Sequence, residues 1–290
     1  MKPRTVVLLV VSGVLLLCGG FAALGGLLNS GLLGGGGIGA SSRITPVAGD
    51  CRRAGTGPAT GTNGFPDTYA AGRVKCSGPH EIETVYVGVY ASTWTEEVGT
   101  KETMEICTSR AEEYLGGKRQ AGRIEMTYYL EEGSGRRWFT CDLAEVGSSA
   151  GKKLVTRSAS LRGSLAGSAP MTIGCANSTT DDFVYLADCG TAHNAEFAGL
   201  YAMPADAAPA DEDALATAVT AGCEKVVRDY LGWDERRYGD SQLIELSYWG
   251  ASHADLAGDR TFQCYVTTLD HHRFTASVKG LGDGRPPLAG

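Results

Sequence analysis

The chain contains two copies of the pattern Cys-x-x-x-His-x-x-Glu, which holds a histidine and a carboxylate at short spacing. The residues of the two copies are, in order, Cys76, His80 and Glu83, then Cys189, His193 and Glu196. Histidine and glutamate can bind a metal ion or a polar ligand, but two ligands are fewer than the three or four of a zinc site. The alternative is a structural histidine that makes hydrogen bonds at a turn before a strand. The histidines and glutamates are therefore candidate binding residues, and we predict no metal and no cofactor.

Two short motifs suggest a serine nucleophile. Residues 147–151 match the Gly-x-Ser-x-Gly pattern of hydrolases, and Ser149 with Lys152 forms a Ser-x-x-Lys pair. The first motif needs a helix directly after the serine, whereas the sequence that follows is typical of a strand. The second lacks the Ser-Asp-Asn and Lys-Thr-Gly partners of wall-synthesis enzymes. We predict no catalytic residue and no enzymatic activity.

Two other groups of side chains have simpler interpretations. Asp270, His271 and His272 lie side by side in a predicted turn, where adjacent side chains diverge and nothing nearby completes a metal site. Four aromatic residues lie at matched positions of two predicted strands: Tyr128, Tyr129, Tyr248 and Trp249. Since half of any strand faces the core, packing is the simpler interpretation, and a binding face is the alternative.

The elements that position these residues occur twice, because the chain is an internal duplication. Apart from Cys18, its cysteines form two sets of four: Cys51, Cys76, Cys107 and Cys141, then Cys175, Cys189, Cys223 and Cys264. Further matches keep the same order, including Tyr-Leu-Gly at residues 114–116 and 230–232, and Ala-Ser-x-x-Gly at 159–163 and 276–280. Several matched segments in one order indicate a repeated domain.

Each copy is predicted to contain one main helix and several strands. In copy two, Leu215, Val219, Cys223, Val226 and Tyr230 share one helical face. Acidic residues precede this helix, and a glycine follows it. The other copy repeats the pattern with Met104, Cys107, Ala111 and Tyr114. Alternating residues predict strands at 124–129 and 244–249, and further strands are expected at 73–76, 83–90, 138–143 and 154–161.

Four cysteines in one domain allow three disulfide pairings, and the sequence alone does not choose among them. We predict Cys51 with Cys76 and Cys107 with Cys141, and the equivalent pairs in copy two, since this pairing ties the helix to the last strand.

The N-terminus predicts a membrane anchor. Lys2 and Arg4 precede an apolar run from Thr5 to about Leu28, which is long enough to span a bilayer. The positive charges place the N-terminus in the cytoplasm and the remaining chain outside, in an oxidising compartment. A cleaved signal peptide is the alternative. A lipoprotein is disfavoured because Leu17 precedes Cys18, where a small residue is needed.

The predicted organisation is α+β. A transmembrane anchor at 1–30 and a flexible glycine-rich linker at 31–44 precede two homologous disulfide-containing domains at 45–163 and 172–285, which are joined by a linker at 164–171. Each domain is expected to pack its main helix on a mostly antiparallel sheet. The net charge of −7 offers no basic surface for nucleic acid.

The residues of copy one resemble the septum-formation family of high-GC Gram-positive bacteria. The resemblance rests on the N-terminal apolar segment, Gly49-Asp50-Cys51, Cys-Ser-x-Pro-His at 76–80, the helix cysteine and Arg-x-x-x-Cys at 137–141. Copy two departs from it, with Ile-Gly at 173–174 and Gly-Thr-Ala-His at 190–193. The resemblance implies a cell-envelope protein linked to division, whose partner is an unidentified envelope or division protein. The alternative function is an extracytoplasmic ligand- or metal-binding protein.

Overall fold

A computed structural model describes most of the chain after residue 45. The described residues are 46–54, 65, 73–89, 96–133, 136–150, 153–167, 171–180, 182–241, 243–253, 256, 259–269 and 272–289. The predicted anchor, the glycine-rich linker, Lys152, Asp270 and His271 lie outside them. Among the described residues, no helix is long and apolar enough to cross a membrane.

The first half of the described chain forms a five-stranded antiparallel sheet with one long helix. Its strands are β1 (Cys51–Arg52), β2 (Arg73–Val74), β3 (Ile82–Val89), β4 (Ile124–Gly133) and β5 (Arg136–Glu145), in the order β2-β1-β3-β5-β4. Helix α1 (Glu96–Leu115) connects β3 to β4 by way of a short 3-10 helix (Arg119–Ala121) and packs on the central strands.

The second half repeats this topology. Its strands are β6 (Cys175–Ser178), β7 (Phe183–Tyr185), β8 (Ala195–Ala202), β9 (Ile244–Trp249) and β10 (Thr261–Thr268), in the order β7-β6-β8-β10-β9. Helix α2 (Glu212–Leu231) covers one face, and a short helix α3 (Glu235–Gly239) follows it. Two short strands, β11 (Arg273–Phe274) and β12 (Leu288–Ala289), pair with each other. The α+β class with antiparallel sheets is confirmed.

The duplication extends to an irregularity in the strand pairing. Between β3 and β5 the register shifts after Thr84, so that Tyr86 pairs with Cys141. Between β8 and β10 the same shift falls after Phe197, and Gly199 pairs with Cys264. A β-bulge bends its strand and re-aims nearby side chains. Its retention in both copies shows that the two sheets share backbone detail as well as strand order.

The sequence signals for the helix ends operate as predicted. The carboxylate of Asp211 accepts a hydrogen bond from the Ala214 amide at 2.8 Å and so caps the start of α2. Gly232 ends this helix in the left-handed conformation, and Gly116 has the same conformation directly after α1.

Four disulfides join these elements. Cys107–Cys141 and Cys223–Cys264 tie each main helix to the strand beneath it. Cys51–Cys76 and Cys175–Cys189 tie the first strand of each sheet to the segment that precedes the histidine. Each helix therefore has a covalent link to its sheet as well as an apolar interface with it.

The predicted strand at 154–161 is wrong. Leu154 and Arg157 make isolated bridges to Val146 and His80 instead of forming a ladder. At the end of the segment, the Leu161 amide donates to the carboxylate of Glu83, so it has no strand partner. A buried side chain therefore satisfies a backbone group that the strand prediction assigned to a sheet.

The sheet faces away from the helices differ between the copies. In the first, a buried polar network joins Arg52, Asp142, Thr84 and Thr140, with Arg52 Nη2 at 2.5 Å from Asp142 Oδ1. In the second, the matched positions carry Ala176, Tyr265, Phe197 and Gln263. There the ring of Tyr265 stacks on Phe183, with centroids 4.0 Å apart. The helix-facing cores are thus alike, whereas the opposite faces have diverged from polar to aromatic.

The aromatic face of the second sheet receives part of the first domain. Gln263 Nε2 donates to the backbone carbonyl of Gln120 in the 3-10 helix at 2.7 Å, and Gln120 Nε2 donates to Asp259. The Ile173 amide donates to the Ala121 carbonyl at 2.9 Å, and the Arg123 amide to the Met171 carbonyl at 3.0 Å. These bonds hold the 3-10 helix of the first domain against the second sheet and against the segment that leads into it.

Removing a disulfide should cost more where the loop that it closes is longer. The chain-entropy argument gives about 4 kcal/mol for Cys223–Cys264 and about 3 kcal/mol for Cys175–Cys189, whose sequence separations are 41 and 14. We expect the double alanine variant of the first pair to lose about 1 kcal/mol more unfolding free energy than that of the second. Denaturant unfolding of both variants checks this, and equal losses would contradict it.

Candidate functional site

Each candidate histidine lies at a tight turn and is completely buried. His80 Nδ1 lies 2.8 Å from the Gly78 carbonyl oxygen, and its backbone pairs in both directions with Arg157. His193 repeats this with the Thr191 carbonyl at 2.7 Å and with Phe274. The turn that follows the disulfide cysteine thus fixes one ring nitrogen and aims the other into the domain.

The second ring nitrogen meets the glutamate three residues later. His80 Nε2 lies 3.0 Å from Glu83 Oε1. Glu83 also accepts hydrogen bonds from the Tyr114 hydroxyl and the Ser160 hydroxyl, both at 2.9 Å, and from the Leu161 amide at 2.8 Å. One buried carboxylate thus binds the turn, the end of α1 and the segment after β5. We call this arrangement the carboxylate hub.

Copy two contains the same hub. Glu196 accepts from His193 at 2.9 Å and from the Tyr230 hydroxyl at 2.6 Å. It also accepts from the Ser277 hydroxyl at 2.8 Å and the Val278 amide at 3.0 Å. The donors Tyr114, Ser160 and Leu161 match these last three, and sequence reasoning did not assign them a role. The signal was present, since they belong to the matched segments, but an alignment of repeats does not show that distant segments converge.

The hydrogen bonds of the hub determine which nitrogens of the His193 ring carry hydrogen. Both of its nitrogens face oxygens that accept hydrogen bonds, so both carry hydrogen when Glu196 is ionised. Burial opposes a charged ring, but the hydrogen bonds to Glu196 and Thr191 outweigh it and raise the pKa of His193. Burial likewise opposes an ionised Glu196, but the hydrogen bonds that converge on it outweigh this and lower its pKa. The pair is therefore an ion pair at mildly acidic pH.

Each hub lies beside residues of the types that bind metal ions, but their ligand atoms already have partners. Cys51, His80 and Glu83 form a compact group of ligand types, as do Cys175, His193 and Glu196. However, both cysteine sulfurs are in disulfides, and each histidine nitrogen already has a protein partner. Binding would require breaking these contacts. In this arrangement the hubs hold parts of each domain together. Ligand binding at the histidines and glutamates stays a prediction.

The serine of the hydrolase-like motif lies at the contact between the domains. Ser149 Oγ donates to Asp182 Oδ1 at 2.9 Å and accepts from the Phe183 amide at 3.0 Å, and its own amide donates to the Phe183 carbonyl at 3.0 Å. The Ala150 amide donates to the same carboxylate oxygen at 2.8 Å. Both sides of the serine hydroxyl are thus occupied. It joins the loop after β5 to edge strand β7.

Comparison with known proteins identifies the family. Residues 48–264 match the family described as septum formation, which is most of the chain. The chain belongs to the septum-formation family. No curated protein and no solved structure matches it. The resemblance seen in the sequence of copy one is thereby confirmed, and the match continues into β10 of the second sheet.

The matched aromatic residues of this family member contribute to packing. Tyr128 contacts the core beneath α1, and Tyr248 meets Phe262 edge to face with centroids 6.3 Å apart. On the opposite faces, the guanidinium of Arg52 lies 5.7 Å from the ring centre of Tyr129, and Trp249 packs with the aromatic cluster around Tyr265. All four rings are partly buried, so the packing interpretation accounts for them.

The His193–Glu196 pair should give the second domain a stability window in pH. The raised histidine pKa means that its contribution is complete below about 6.5, the ordinary value, and is lost as pH rises through the folded value. The lowered glutamate pKa means that its contribution is complete above about 4.5 and is lost as pH falls through the folded value. Both contributions are therefore complete between these two values.

We expect His193→Gln to lower the unfolding free energy by about 2 kcal/mol at pH 5.5, because a charge-assisted hydrogen bond is lost, and by progressively less above pH 6.5. Denaturant unfolding from pH 4 to pH 8 measures this difference. Lys225→Gln, an exposed change on α2, is the control and should show a constant difference between pH 5 and pH 8. A pH-independent loss in His193→Gln would contradict the ion pair.

Ser149→Ala should loosen the contact between the domains. It removes the hydroxyl that Asp182 and the Phe183 amide share, at a cost of about 1–3 kcal/mol for a buried group. We expect faster amide hydrogen exchange at Phe183 and Tyr185, measured by mass spectrometry. Ser148→Ala is the matched control, since its side chain makes no hydrogen bond among the described residues. Unchanged exchange in Ser149→Ala would contradict the assigned role.

Proposed function

We propose that this septum-formation protein is a non-enzymatic module of the cell envelope that presents two rigidly joined domains to a partner protein outside the cytoplasm. The N-terminal apolar segment serves as its membrane anchor. The partner belongs to the division or wall-synthesis machinery. The family match supports the link to septum formation.

The observation that carries the non-enzymatic part of this proposal is how the chemically capable side chains are used. His80, Glu83, His193 and Glu196 are buried and bonded to one another or to backbone, and the Ser149 hydroxyl has a donor and an acceptor in place. A general base must reach a substrate proton, and a nucleophile needs a free approach. These groups instead stabilise turns and a domain contact.

Two other features support an extracytoplasmic scaffold. Four disulfides occur in the described residues, and structural disulfides persist in oxidising compartments. The hydrogen bonds from the 3-10 helix and from Ser149 fix the two domains at two places. A partner would therefore meet one preformed surface with little ordering to be done on binding.

Proximity labelling in growing cells tests the proposal. The labelling enzyme is fused to the C-terminus of the full chain, and the control carries it on residues 1–44 alone. We expect division or wall-synthesis proteins to be enriched over the control, because only the full chain presents the folded domains. A labelling profile identical to that of the control would contradict the interaction module and favour the ligand-binding alternative.

A further inference from the structure

A surface pocket of about 210 Å³ lies in the first domain between β3 and α1. It is lined by Val85, Tyr86, Arg110, Glu113, Tyr114 and Arg162. Two arginines and two tyrosines thus surround a cavity that is large enough to admit an acidic side chain. This composition suits recognition of a small planar anion, because guanidinium groups match the geometry of a carboxylate.

Both arginines are held by aromatic rings. The Arg110 guanidinium carbon lies 4.9 Å from the ring centre of Tyr86, and that of Arg162 lies 4.4 Å from the ring centre of Tyr114. A guanidinium stacked on a ring keeps its N–H donors in its own plane, where they remain available to an anion. The stacking also restricts the arginine rotamers before any ligand arrives.

The carboxylate hub supports the pocket from beneath. The Tyr114 hydroxyl donates to Glu83 and contacts the Ser160 hydroxyl, so the ring that carries Arg162 is fixed at its buried end. Burial raises the pKa of Tyr114, which keeps the phenol neutral and leaves the positive charge of the pocket intact. The buried hub thereby positions an exposed feature.

The charges of the lining leave a positive balance. Arg110 and Arg162 contribute two positive charges and Glu113 one negative charge, for a net charge of +1. Glu113 Oε2 lies 3.0 Å from Arg110 Nη1, but the arginine side chain is 48% exposed and the glutamate side chain 71%, and such a pair is weak. Arg162 makes no ion pair with an acidic side chain in the part of the chain that the structure describes. An incoming carboxylate would therefore find one guanidinium open and one weakly paired.

The second domain keeps the hydrogen bond between the tyrosine and the hub carboxylate, but it differs at three positions that line the pocket in the first domain. The positions matched to Tyr86 and Arg110 carry Gly199 and Val226, and Lys279 replaces Arg162. A Cβ atom on Gly199 would lie only 3.0 Å from the Val226 side chain, so valine fills the space at this position. Tyr230 still bonds to Glu196. The two copies thus share an internal hub and differ in the surface above it.

We infer that the pocket of the first domain binds an acidic side chain of a peptide segment on the partner protein. This inference rests on the proposed function, since it names the contact surface of the interaction module. The carboxylate lies between Arg110 and Arg162, which line the pocket from the α1 side and from the segment after β5. At the matched, described positions the second domain carries Gly199, Val226 and Lys279 in place of the tyrosine and the two arginines, so it serves as an internal control.

Arginine footprinting on the full chain in mild detergent tests the inference. Phenylglyoxal modifies accessible guanidinium groups, and mass spectrometry counts the product at each arginine. The probes are the peptide acetyl-Gly-Glu-Glu-Gly-amide, its Gln-Gln counterpart and inorganic phosphate. We expect the acidic peptide to protect Arg110 and Arg162 and to leave Arg236, which is 92% exposed on α3, unprotected.

Two variants localise the effect. Arg162→Gln should weaken protection of Arg110 by the acidic peptide about tenfold, because one of the two charge-assisted contacts is lost. Lys279→Gln, the matched change in the second domain, should leave it unchanged. Protection that is absent, that the neutral peptide matches or that only phosphate produces would overturn the inference.

A cellular comparison separates this inference from the proposed function. The Arg110→Gln, Arg162→Gln double variant replaces exposed side chains, so we expect its unfolding midpoint to match that of the parent chain. Loss of partner labelling in this variant, with labelling retained in Arg236→Gln, supports the pocket as the contact. Labelling that persists in the double variant overturns the pocket and leaves the interaction module standing. A parent chain with no enriched partner contradicts the interaction module, whereas the footprinting still reports on the pocket.

Discussion

A buried carboxylate organises each domain, since a carboxylate removed from water must be supplied with donors. Glu83 and Glu196 each receive hydrogen bonds from a histidine, a tyrosine hydroxyl, a serine hydroxyl and a backbone amide. These donors come from the turn before the third strand of the sheet, the main helix and the segment after the last long strand. The turn, the helix end and the final segment consequently hold their relative positions because one side chain requires all of them.

The two copies show which parts of the fold are constrained and which are free to change. Strand order, the β-bulge, the disulfides and the hub are the same in both. The sheet faces away from the helices differ, with an Arg52–Asp142 pair in the first domain and stacked rings of Phe183 and Tyr265 in the second. A buried ion pair and an apolar cluster can fill the same space, provided that neither charge is left alone. Changes of this kind allow one copy to contact its neighbour without altering the helix-facing core.

Local signals in the sequence were sufficient for much of the fold. The ends of α2 follow from Asp211 and Gly232, and the β4 and β9 strands from alternating residues, since capping and pleating act over a few positions. The strand prediction at 154–161 failed because the Leu161 amide donates its hydrogen bond to Glu83, which is far away in the sequence. Of the site, the histidines and glutamates were found by their repeated spacing. The convergence of Tyr114 and Ser160 on them, and the pocket beside α1, depend on tertiary packing, which no local pattern encodes.

The span of each hub has a consequence for the order in which the chain assembles. In the first domain the carboxylate at Glu83 binds the amide of Leu161, and in the second Glu196 binds Val278. Neither hub can close until the last of these residues has been synthesised. Each carboxylate therefore lacks one of its donors until the helix and the long strands of its domain have been made. The first domain can complete its hub while the second is still being made. All partners of Glu83 precede the second domain in the chain, so the first hub needs no residue of the second domain in order to close.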